Sequence, residues 1–139
     1  MTDIITSENL LIGAAITNPQ TARRLLEELK PEDFTVEANR EIFEAMQRID
    51  NRGEDVDPAK AANESGVVRS YFYELMEIAP SGNADLEPHI AEVRKAALRR
   101  GIREVLSAAD TDIIANADPS EVIDGMTQQL AKLAEHAEG

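Results

Sequence analysis

The stretch Asp118-Pro119-Ser120-Glu121-Val122-Ile123-Asp124-Gly125-Met126-Thr127-Gln128-Gln129-Leu130-Ala131-Lys132-Leu133-Ala134-Glu135-His136-Ala137 decides the fold class. It opens with an N-cap residue before a proline, where the missing N–H of proline would be unpaired in any case. Ile123, Met126, Leu130, Leu133 and Ala137 then recur at intervals of three and four, the spacing of one helix face. On the preceding segment Ile90, Val93, Ala97, Ile102, Val105, Ala109 and Ile113 approximate a second such stripe. The turn Ala117-Asp118-Pro119 is short enough to fold the two helices back on each other, so an antiparallel hairpin is predicted. Each helix carries a single apolar stripe. A hairpin of that kind needs further apolar cover from the rest of the chain or from another subunit.

Upstream, proline punctuates the chain. Asn18-Pro19 and Asp57-Pro58 repeat the cap-then-proline start, while Lys30-Pro31 and Ala79-Pro80 read as stops. Segments 7–17, 20–29, 36–52, 59–65, 68–78, 86–116 and 119–137 are rich in Ala, Leu, Glu, Arg or Met, and none alternates at period two. The prediction is all-α: a compact N-terminal helical cluster at about 7–80, then a helical hairpin at about 84–137, in one domain of 139 residues. Ser81-Gly82-Asn83 is the expected hinge.

Composition narrows the functions. With 27 Asp+Glu against 14 Lys+Arg and a formal charge of -13, the chain is unsuited to wide contact with nucleic acid or an anionic membrane, which depend on clustered cations. Cysteine is absent, so there is neither disulfide nor thiolate chemistry. The N-terminus lacks a basic signal-type region, and the longest apolar run, Leu10 to Ile16, is far below the roughly 20 residues needed to span a bilayer. A soluble, cytoplasmic chain is expected. No glycine is followed by lysine, so there is no Walker A motif, and neither G-x-G-x-x-G nor G-x-S-x-G occurs. His89 and His136 lie on different segments without a second His at i+4, and solvated surface histidines are the expectation. Asp110, Asp112 and Glu121 match three ligand positions of a calcium loop, but Ile114 and Ala115 stand where an oxygen ligand and a turn glycine belong. Acid pairs such as Glu27-Glu28 and Glu54-Asp55 read as solvated faces rather than acid–base machinery. No catalytic, cofactor-binding or metal site is expected.

Two features rise above this background. Arg94, Lys95, Arg99, Arg100 and Arg103 concentrate basic charge on one helix and form a candidate docking patch for an acidic protein surface. Tyr71-Phe72-Tyr73 holds both tyrosines of the chain; Phe72, in step with Leu75 and Met76, is predicted in the core, leaving a tyrosine partly exposed as an interface anchor.

Several stretches together resemble a known family. They are Glu8-Asn9-Leu10-Leu11-Ile12-Gly13-Ala14-Ala15, Leu29-Lys30-Pro31-Glu32-Asp33-Phe34, Asn39-Arg40-Glu41-Ile42-Phe43-Glu44-Ala45-Met46, Tyr71-Phe72-Tyr73-Glu74-Leu75, and Leu98-Arg99-Arg100-Gly101-Ile102. In order and spacing they are similar to the N-terminal domain of the bacterial or phage DnaB-type replicative DNA helicase. The likeness covers nearly the whole chain. It departs in a shortened link at 57–70 containing only Gly66, in Asn39 where the family commonly has His, and in a reduced leader before the first helix.

The resemblance implies a collar domain in DNA replication that assembles into dimers and a hexameric ring and docks the DnaG-type primase or a helicase loader. It implies no enzymatic activity in this stretch: ATP and magnesium belong to the family's motor domain. It places Tyr71 and Ile102 at primase-docking positions, and Ile90, Val93, Val105, Ile123, Met126, Leu130 and Leu133 at the protomer interface. The basic run would then pair with acid from a neighbouring subunit, with no direct nucleic-acid contact. A free-standing phage or plasmid protein that engages a host helicase, loader or primase is the alternative. A third reading, an unrelated all-helical carboxylate enzyme, requires two facing acids in a pocket.

Overall fold

The proline signals become helix boundaries. A computed structural model describes residues 4–82 and 84–138, and among them there are seven α-helices and one 3-10 turn, Pro31–Asp33. In chain order the helices are α1 (Ile4–Thr17), α2 (Pro19–Glu28), α3 (Glu37–Asn51), α4 (Pro58–Ser65), α5 (Arg69–Ile78), α6 (Glu87–Ile114) and α7 (Pro119–Glu138). The all-α prediction therefore holds. Asn18 caps α2 by accepting from the N–H groups of Gln20 and Thr21, and Asp57 caps α4 by accepting from Lys60, each ahead of a proline in the first turn. α2 ends at Glu28, ahead of the Lys30-Pro31 stop, and Pro31 in addition opens the 3-10 turn.

The chain forms two compact units, the first ending at Arg94 and the second beginning at Lys95, so the division falls within α6. Asn83 of the expected hinge lies outside the described residues. In the first unit α1 is central and packs against α2, α3, α4 and α5. Its residues Leu11 to Ile16 are buried on all sides, as a helix enclosed by others must be. Gly13 permits the closest approach: a Cβ there would lie 2.5 Å from the Leu75 carbonyl oxygen on α5. Phe34 and Phe43, both fully buried, stack with ring centroids 5.1 Å apart. Asp33 fixes the chain just before Phe34 by accepting from the Lys30 N–H at 2.8 Å, which gives the Lys-Pro-Glu-Asp-Phe word a structural reason. The short link at 57–70 resolves into α4, closed by Gly66 in the left-handed conformation at φ 72°, and the start of α5.

In the second unit α6 and α7 form the antiparallel hairpin. Gly101 on α6 lies against the Leu133 side chain, and towards the tip Val105, Ala109 and Asp112 share a groove with Glu121, Val122, Met126 and Gln129. At its C-terminus α6 is closed by Asn116 at φ 65°, with Asn116 N–H donating to Ile113 O at 3.0 Å and Ala117 N–H to Asp112 O at 2.9 Å. That pattern satisfies the last helical carbonyls and turns the chain into α7.

Candidate protein-docking surfaces

The Tyr71 side chain belongs to a polar cluster built into the first unit. Glu8, fully buried on α1, accepts from Thr35 N–H at 2.7 Å, from Val36 N–H at 3.2 Å and from Asn39 Nδ2 at 3.4 Å. Its carboxylate thus stands at the entry to α3, where backbone donors and the helix dipole favour negative charge. Asn39, also fully buried, donates to Asn9 Oδ1 at 2.9 Å and accepts from the Tyr71 hydroxyl at 2.6 Å. Burial first, and the nearby Glu8 charge second, push the Tyr71 phenol above its ordinary value. Tyr71 is therefore half-buried with its hydroxyl turned inward, while its neighbour Tyr73 is 63% exposed. Phe72 and Leu75 are in the core as predicted, but Met76 is exposed.

Sequence reasoning does not single out Glu8. A signal is present: Leu11 and Ile12 follow it at i+3 and i+4 on the buried face, and Ile42 and Phe43 follow Asn39 in the same way. The histidine expectation is corrected for His89, which is half-buried with Nδ1 3.0 Å from the Oγ of fully buried Ser7. Glu54 and Asp55 lie on a solvated face as expected, and both are ion-paired there. Glu54 pairs with Arg52 and Lys60, and Asp55 with Arg23. The hydrogen bond from Arg52 holds the Glu54 carboxyl below the usual range.

Beside Tyr73, α4 and α5 leave an open groove of about 200 Å³ lined by Pro58, Ala59, Ala62, Arg69, Phe72, Tyr73 and Met76. Val68 and Ile78, which flank the same stretch of chain as Tyr73, are also exposed. This surface is largely apolar, with Arg69 the charged residue in the groove lining. Among the described residues there is no group of three or more metal-ligating side chains, and no helix is long and apolar enough to cross a membrane.

The hairpin residues divide between the two units. Ile90 and Val93 are buried in the core of the first unit with Leu86, so they are not available at a protomer surface. The helical stripe is continuous in sequence, but its first part is consumed by intramolecular packing. In the second unit Ile123 is 62% exposed and Leu130 41%, while Val105, Met126 and Leu133 are half-buried. Ile102, Leu106, Ile113 and Ile114 are exposed too, whereas Val122 is buried.

The basic run also splits. Arg94 donates through Nη2 to Glu28 O at 2.7 Å, capping the C-terminal carbonyls of α2, and its Nε is buried without a partner. It is thus a structural part of the first unit rather than a member of a docking patch. Arg100 is engaged within the chain. Lys95, Arg99 and Arg103 remain exposed on α6. Tyr71 lies in the first unit and Ile102 in the second.

A helical globule with a largely apolar groove and a hairpin with uncovered apolar side chains are the surfaces among the described residues that another protein could cover. The chain belongs to the DnaB-like helicase N-terminal domain family, whose model matches residues 2–95. It is 30% identical over 141 residues to the replicative DNA helicase DnaB of Geobacillus stearothermophilus, covering 94% of this chain but only 31% of that protein. The crystal structure of the N-terminal domain of DnaB helicase from Mycobacterium tuberculosis has the same fold, with TM-score 0.80, 22% identity, and coverage of 93% of this chain and 96% of that one. A solved DnaB-like replicative helicase, described with its interactions with primase, matches at TM-score 0.72 and 20% identity over 94% of this chain and 30% of its own.

Proposed function

We propose that this domain is an assembly and docking module of a replicative helicase, joining copies of itself through the α6–α7 hairpin and presenting a surface to a primase or loader. The observation that supports self-assembly is the hairpin's uncovered apolar surface: Leu106, Ile113, Ile114 and Ile123 are all more than half exposed on a two-helix unit that buries little of its own. Side chains of this size gain about 1.5–3 kcal/mol each when fully covered, so several together favour association. The primase reading rests on membership of the family and on the likeness to a helicase whose structure is described with primase.

Calorimetric titration with the C-terminal domain of the cognate primase tests the docking part. Ile102→Ala is expected to weaken binding with oligomer size unchanged. Because the Tyr71 hydroxyl is bound to Asn39, Tyr71→Phe separates a docking role of the ring from the internal hydrogen bond. Unchanged binding in Ile102→Ala and Tyr71→Ala would remove these two residues from the surface. Light scattering tests assembly, and a strict monomer at tens of micromolar would refute it.

A further inference from the structure

In the first unit Arg23, Arg24, Arg48, Arg52 and Lys60 each hold a carboxylate. Lys95, Arg99 and Arg103 are arranged otherwise: all three are exposed on α6 and, among the described residues, none forms an ion pair within the chain. They follow one another at i, i+4 and i+8, so each has a like charge one turn away, and such pairs oppose the helix that carries them. In a chain with 27 Asp and Glu residues, a single carboxylate at position 99 would turn both repulsions into attractions. An arginine there instead completes a row of three cations. Their mutual repulsion is relieved when a polyanion lies along them.

The row fits one particular polyanion. Four residues of helix rise about 6 Å, so the row spans about 12 Å, with its charges spaced much as neighbouring phosphates are along one nucleic-acid strand. Gly101 and Val105 face α7 from the other side of the helix, and the exposed apolar residues proposed for self-assembly begin beyond the row, at Leu106. The site is narrow. Glu104 is exposed beside Arg103, and Glu92, three residues before Lys95, is half-buried; a duplex would set its second strand against such acids, whereas a single strand can follow the row alone. We infer that Lys95, Arg99 and Arg103 bind the phosphate backbone of a single-stranded nucleic acid, about one phosphate to each side chain, without reading its bases. The formal charge of -13 argues against a wide basic face but leaves room for a contact one strand wide, because the field of more distant acids decays over about 8 Å at physiological ionic strength. No aromatic residue follows Tyr73, so the hairpin offers no ring on which bases could stack. The affinity is therefore electrostatic, and its salt dependence counts the phosphates held.

The inference goes beyond self-assembly and protein docking, and its test reads neither. Fluorescence anisotropy of a labelled oligothymidylate is followed as the 139-residue chain is added, at salt concentrations from about 20 to about 150 mM. Three single-strand phosphate contacts predict that log K falls with log salt at a slope of about −2, and Arg99→Gln should lower the slope to about −1.4. The triple variant Lys95→Gln, Arg99→Gln, Arg103→Gln loses binding, while Lys30→Gln, an exposed cation of the first unit, leaves it unchanged. Loss of fold does not account for that result if the triple variant unfolds at the same or a higher urea concentration, as relief of like-charge repulsion predicts, and keeps the wild-type size by light scattering. A wild type that produces no anisotropy change at the lowest salt, or a triple variant that binds like the wild type, would overturn the inference. Displacement of the oligonucleotide by polyglutamate as effective as displacement by unlabelled oligothymidylate would overturn it too, and would assign the row to an acidic protein surface.

Discussion

Replacing Glu8 by glutamine changes one charge and almost no volume, yet the structure makes it a severe substitution. The two carboxylate oxygens of Glu8 serve different donors: Oε2 takes the Thr35 N–H at 2.7 Å, and Oε1 takes Val36 N–H at 3.2 Å with Asn39 Nδ2 behind it at 3.4 Å. Glutamine has one oxygen. If it keeps the shorter bond, its NH₂ group faces two further donors, and Val36 N–H loses its acceptor. Val36 is half-buried, and a donor left without its acceptor beside the fully buried Glu8 side chain costs about 1–3 kcal/mol, while losing the charged acceptor weakens the bond that is kept. Removing a buried charge returns part of the desolvation cost, so the net expectation is about 2–3 kcal/mol. That is a substantial share of the roughly 5–15 kcal/mol typical of a domain. Turning Asn39 over to rescue the site would give up its Nδ2 bond to Asn9 at 2.9 Å and its Oδ1 bond from the Tyr71 hydroxyl at 2.6 Å.

Urea unfolding followed by circular dichroism measures the effect as a shift of midpoint at unchanged slope. Glu41→Gln on the exposed side of α3 is the control, expected within about 0.5 kcal/mol of wild type. If Glu8→Gln behaves like that control, the carboxylate is not holding the entry to α3.

Gly13→Ala should destabilise the first unit by about 1–3 kcal/mol, since its Cβ would meet the Leu75 backbone carbonyl at 2.5 Å and neither helix can yield locally. Little or no change in the unfolding midpoint would show that α1 and α5 tolerate separation. Tyr71 carries a pH signature: its folded phenol titrates above the ordinary value, so the folded state binds more protons than the unfolded state once pH passes about 10. Its contribution to stability is present below that pH and is lost as pH rises toward the folded value. Tyr71→Phe should reduce this alkaline loss, as measured by urea midpoints across the range, and an identical loss in the variant would refute the assignment.

Much of the architecture was legible because its determinants are local. Asn18-Pro19 and Asp57-Pro58 mark helix starts through capping and fixed φ, and Asp118-Pro119 does so through the proline that opens α7; these act within a few residues. The family words were legible for a related reason: Asp33 and Phe34 perform a cap and a core contact that few other residues could perform together. The candidate site was less legible. Ile90 and Val93 continue the hairpin stripe in sequence, but whether that face meets another subunit or the chain's own core depends on where Leu86 and the globule lie. Arg94 and Arg99 look alike in a basic run, yet only Arg94 reaches the end of α2.

The sequence by itself determined seven helices, their order, the hairpin turn and a chain without nucleotide-binding motifs, because periodicity, capping and proline chemistry operate over a few residues. Only the tertiary structure decided which polar groups were buried. Glu8 and Asn39 are closed off from water only when α1, α3 and α5 come together. Then one backbone stretch before α3 needs an acceptor and one tyrosine hydroxyl needs a partner. The difference is physical: a helix is stabilised by its neighbours in sequence, whereas the cost of burying a polar group depends on distant residues that exclude water and on whether they supply its hydrogen bonds.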